Sequence, residues 1–133
     1  MSNNEYRISK EEKKFDLEDR LINFAVRVIA SADTLPKTRT GNHISWQIIG
    51  SGTSPASNYG EAQSAESRVD FIHKIKICLK ELRETKIWLL IVERAKLIQQ
   101  RSNLEYLLKE SDELISIFVK SIQTAKQSRK QTS

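Results

Sequence analysis

The stretch from Ser67 to Glu93 reads SRVDFIHKIKICLKELRETKIWLLIVE and holds neither Gly nor Pro. Phe71, Ile75, Cys78, Leu82, Leu89 and Val92 keep a register of threes and fours, which puts them on one stripe of a long helix. Thr85 is the break in that stripe. Ile72, Ile77, Leu79, Ile87, Trp88, Leu90 and Ile91 fall outside it, more apolar surface than a single core partner requires. The helix is therefore expected to meet neighbours on two sides, with another subunit a candidate for one of them.

Upstream lies the ambiguous segment Gly50 to Ala65, GSGTSPASNYGEAQSA. Local propensity reads it as a loop between short helices. The register Ile44, Ile48, Ser51, Pro55, Asn58, Ala62, Ala65 runs through it and on to Val69. That favours the second reading, a helix of small residues kinked near Pro55. This second helix starts between Thr40 and Asn42. Before it, Leu17, Leu21, Phe24 or Ala25, Val28 and Ala32 predict a first helix. Asp16 would cap its N-terminus and Leu35-Pro36 would end it. Residues Met1 to Lys14 read as a polar arm.

Downstream, the central helix is expected to end between Val92 and Gln100, with a polar link from Gln99 to Asn103. Leu104, Leu108, Ile115, Phe118, Ile122 and Ala125 then mark a fourth helix, widened by Leu107, Leu114 and Val119. Four amphipathic helices with short links predict an all-α, up-and-down antiparallel four-helix bundle. The chain of 133 residues reads as one domain, with a core over about residues 15–126 and a basic tail over 127–133.

Charge and cysteine usage narrow the function. The net charge of +5 favours a polyanionic partner, and solubility is the bland alternative. No apolar run is long enough to span a bilayer, and the polar opening lacks the core of a signal peptide. A single cysteine, Cys78 on the core stripe, reads as a buried, inert thiol in a cytoplasmic protein.

The sequence speaks against catalysis. Asp70 and His73 have the i, i+3 spacing of di-iron bundles, but the second half of such a site is missing: Thr40 precedes His43, the other histidine. There is no phosphate-cradling glycine loop and no zinc-protease motif. Glu61, Glu66 and Asp70 fit one helix face only loosely, so a nuclease carboxylate set is the weakest of the three functional classes. No catalytic residue, metal or cofactor is expected.

The runs Asp70-Phe71-Ile72, Lys80-Glu81-Leu82-Arg83-Glu84-Thr85 and Trp88-Leu89 resemble the signature of the four-helix-bundle family encoded in intervening sequences of 23S ribosomal RNA genes. An Asn-x-x-Glu-Gly segment precedes the long helix in that family; here Asn58 and Glu61 match it and Ala62 replaces the Gly. The likeness covers the chain roughly from Phe15 to Lys126. It implies a ring-shaped homopentamer. The chain is also similar to accessory proteins of diversity-generating retroelements, which implies binding of nucleic acid and of a reverse transcriptase.

Two residue sets follow. Arg20, Arg27, Lys37, Arg39, Lys120, Lys126, Arg129 and Lys130 are the candidates for phosphate contacts to RNA or DNA, with Trp46 exposed beside the loop cations. Asn58, Glu61, Lys80, Glu81, Arg83, Glu84 and Trp88 are the candidates for a packing network between helices or subunits, for example through a Glu61–Arg83 pair; a solvated charged face is the alternative. The functional expectation is a non-enzymatic oligomer that binds structured nucleic acid. The alternative is a scaffold for protein partners alone.

Overall fold

The computed structural model describes the backbone over residues 3–132 and side chains over residues 17–127. Four helices account for almost all of it: α1 (Asn3–Asp33), α2 (Arg39–Gln63), α3 (Arg68–Arg94) and α4 (Arg101–Thr132). Each packs on its neighbours in chain order, and α4 closes back on α1 along a narrower seam. This is the expected antiparallel four-helix bundle.

Local chemistry sets the helix ends. Thr38 caps α2, its hydroxyl accepting from the Gly41 N–H at 3.1 Å. Ser67 caps α3 by accepting from the Asp70 N–H at 3.0 Å, and the Asp70 charge sits in the first turn, where the helix dipole favours it. At the other end of α3 the chain leaves through a Schellman motif. Leu97 N–H bonds to the Val92 carbonyl and Lys96 N–H to the Glu93 carbonyl, with Lys96 at φ 56°. A lysine occupies the left-handed position where glycine is usual. Helix α1 begins at Asn3 and not at the expected Asp16 cap, because residues 3–16 contain no Gly or Pro to stop it.

The ambiguous segment is helix without interruption through Pro55. Its polar side chains turn back on their own backbone: Thr53 donates to the Ile49 carbonyl at 2.7 Å, and Asn58 to the Ser54 carbonyl at 3.0 Å. The small residues serve packing. A Cβ on Gly52 would stand 2.7 Å from a Val28 methyl, so the glycine lets α1 and α2 approach. Gly41 is tighter still, since its Cβ would collide with the Pro36 carbonyl.

The core contains Leu21, Phe24 and Val28 of α1, Ile44 and Ile48 of α2, Ile75, Cys78, Leu82, Leu89 and Val92 of α3, and Leu104, Leu107, Leu114 and Phe118 of α4. Three details differ from the sequence reading. On α4 the side of the expected stripe shifts, with Leu107 and Leu114 buried and Leu108 and Ile115 half-buried. Phe71 is only half-buried, whereas Ile72 and Leu79 are buried. Thr85, the apparent break, is fully buried, and its hydroxyl lies 2.9 Å from that of Ser51 and 2.8 Å from the Glu81 carbonyl. The gap in the apolar stripe is thus a satisfied hydroxyl pair tying α3 to α2.

Candidate nucleic-acid interface

The α1–α4 seam is polar. Arg20 donates from Nε and one Nη to the two carboxylate oxygens of Glu110, at 3.1 and 2.7 Å, and from the same Nη to Glu113 at 3.0 Å. Glu110 is buried, so this bidentate pair is the compensation its charge requires. One guanidinium between two carboxylates leaves a cluster of net negative sign, unsuited to phosphate. One seven-residue step along α1, Arg27 lies over the Tyr106 ring with its guanidinium carbon 3.7 Å from the centroid. Asn103 donates to the Arg27 carbonyl at 3.1 Å and to the Ser31 hydroxyl at 2.7 Å. Both arginines of the predicted phosphate set therefore act as fasteners between α1 and α4. The sequence shows that Arg20 and Arg27 share a helix face. It does not show that Glu110 and Tyr106, far away in the chain, come to meet them.

Four of the remaining phosphate candidates are open to solvent. Lys37 and Arg39 are exposed at the start of α2, Trp46 is 82% exposed on the same helix, and Lys120 and Lys126 are exposed on α4. The side chains of Arg129 and Lys130 lie outside the described residues.

The predicted packing network is not one network. Glu61 pairs with Lys74 at 2.8 Å and not with Arg83, because Lys74 is on the side of α3 that faces α2 whereas Arg83 points outward. That contact holds the Lys74 ammonium above its usual range, first through the hydrogen bond and then through the charge of Glu61. Asn58 is occupied by its own helix. Trp88 meets His43 edge-on with centroids 5.9 Å apart. Glu81 and Glu84 are half-buried; burial first, then the Glu84 charge, raises the Glu81 carboxyl. Lys80 and Arg83 are exposed.

Burial pushes the Cys78 thiol up to about 12, and its sulfur lies 3.5 Å from the Pro55 carbonyl, so it stays protonated at neutral pH. Among the described residues no group of three or more His, Cys, Asp or Glu could hold a metal ion. No described helix is long and apolar enough to cross a membrane.

Large apolar side chains remain exposed on three helices. Ile22, Val26 and Ile29 run along α1, Trp46 stands on α2, and Val69, Ile87 and Ile91 lie along α3. Beside the first group, the outward positions of α2 (Trp46, Gly50, Thr53, Ser57 and Gly60) carry no formal charge. The middle of the α1–α2 face is thus apolar or neutral, bracketed on α1 by the exposed Asp19 and Asp33, on a chain in which charged residues make up 29%.

The structure therefore defines a four-helix bundle with a polar closing seam, a neutral face and solvent-exposed cations. The chain belongs to the 23S rRNA-intervening sequence protein family, whose model matches residues 13–120. It is similar to the crystal structure of a protein with unknown function from the S23 ribosomal protein family of Bacteroides thetaiotaomicron VPI-5482. The TM-score is 0.73 at 36% identity, covering 80% of this chain and 97% of that one. No curated protein matches.

Proposed function

We propose that this protein is a non-enzymatic, oligomeric bundle of the cytoplasm that binds structured nucleic acid through its exposed cations. The observation that carries the reading is the segregation of charge. Cations without an ion-pair partner among the described residues, such as Lys37, Arg39, Lys120 and Lys126, stand in solvent, while the middle of the α1–α2 face, between Asp19 and Asp33 of α1, is apolar or neutral. A neutral apolar face suits self-association, and repeating a modest cationic field around an oligomer strengthens it. The likeness to accessory proteins of diversity-generating retroelements favours a pentameric ring that also docks a reverse transcriptase.

Binding to phosphates is salt-dependent and weakly sequence-specific. Fluorescence anisotropy of a labelled RNA hairpin and a DNA duplex across a salt series tests this. The reading predicts affinity that falls log-linearly with salt for both. Absence of binding at low salt would leave the scaffold for protein partners alone, a reading that the exposed Ile87 and Ile91 also support.

A further inference from the structure

The outward side of α3 carries Lys76, Lys80 and Arg83 at i, i+4 and i+7, so the three cations follow one line along the helix. All three are exposed, and none makes an ion pair with a described residue. His73 and Val69 continue the line toward the start of α3, Ile87 and Ile91 toward its end, and no acid lies on it. Of the acids nearby, Asp70 is half-buried, Glu84 is half-buried one turn beyond Lys80, Glu93 is engaged by Arg101, and Asp112 of α4 is engaged by Lys86. The antiparallel register anchored at Lys86–Asp112 carries Lys126 of α4 toward the His73 end of the line.

We infer that this outward face of α3 is a track for the phosphodiester backbone of duplex nucleic acid, with Lys76, Lys80 and Arg83 as its phosphate contacts. The inference rests on the proposed nucleic-acid reading and assigns that reading a surface absent from the sequence-derived phosphate set. Charge density supports it. The three cations span about 10 Å of helix axis. One strand of a duplex carries a charge about every 3.4 Å of axis, hence about three over the same length. Three cations in one line thus match the phosphates in density.

The test is the triple variant Lys76→Gln, Lys80→Gln, Arg83→Gln in the full chain, with Lys120→Gln, Lys126→Gln as the comparison. Glutamine keeps helix propensity, and unchanged circular dichroism and sedimentation establish the fold and assembly of both. Affinity for a labelled DNA duplex is measured from ~50 to ~200 mM KCl. Three lost phosphate contacts lower the salt slope by about 2.7, so wild type should lose about 40-fold more affinity than the triple variant over that range. A triple variant with the wild-type slope, while wild type binds, overturns the track and leaves nucleic-acid binding standing. A wild type that ignores the duplex at low salt overturns both readings. Capture of polyglutamate but not duplex, lost in the triple variant, overturns the track in favour of an acidic protein partner.

Discussion

Replacing Arg20 with Met is the sharpest probe of the closing seam. The substitution keeps most of the aliphatic stem and removes the guanidinium that Glu110 accepts from at 3.1 and 2.7 Å. The Glu110 side chain is only 7% exposed, so its carboxylate cannot recover full hydration in place. Breaking a buried pair by removing one partner costs about 3–5 kcal/mol. Arg20 is itself 27% exposed and Glu113 52% exposed, so water screens part of the interaction, and about 2–3 kcal/mol is expected. For a chain of this size that is roughly a 6–12 °C fall in Tm. Urea unfolding followed by circular dichroism, at one protein concentration for all variants, measures it. Adding Glu110→Leu to Arg20→Met should restore most of the loss, since the stranded charge is what costs stability. RNA affinity and its salt slope should not change. A loss below about 0.5 kcal/mol, accompanied by weaker RNA binding, would show that Arg20 is a phosphate ligand and that the seam reasoning is wrong.

Four other substitutions probe separate parts of the account. Gly52→Ala places a methyl 2.7 Å from Val28 and should destabilise the bundle by about 1–3 kcal/mol in the same urea assay. Gly50→Ala and Gly60→Ala meet nothing within 4 Å, so each should stabilise α2 by about 0.5–1 kcal/mol in an isolated subunit. If their face packs against another copy, sedimentation velocity should instead show weaker assembly. Glu81→Gln bears on pH. A carboxyl raised by burial favours the protonated folded state, so its contribution is fully present below the unfolded value of 4.5 and is lost as pH rises through the higher folded value. The Gln variant should therefore gain stability at neutral pH and lose that part of the acid-limb dependence, as read from urea midpoints between those limits.

Periodicity made most of the bundle legible. The α3 stripe from Ile75 to Val92 is where the register places it, as are Leu104, Phe118 and Ile122 of α4, although there Leu107 and Leu114 are buried and Leu108 and Ile115 only half-buried. What stayed hidden depends on partners remote in the chain. The continuity of α2 through Pro55 turns on the fit of Gly52 against Val28, which local propensity does not encode. Arg20 and Glu110 are 90 residues apart, so a phosphate ligand and a seam fastener look alike in the sequence. Thr85 read as a flaw in the stripe because its complement, Ser51, lies on another helix. Lys80 and Arg83 read as packing residues because flanking apolar residues drew them into a motif, whereas the fold turns them outward.

The central claim is that exposed cations on an oligomeric bundle bind nucleic acid. Sedimentation velocity of the unmodified chain, alone and with an RNA hairpin, at low and high salt, tests it most directly. The account predicts a particle several subunits in mass at both salts, joined by the RNA at low salt and released from it at high salt. A particle that sediments apart from the RNA even at low salt would contradict it.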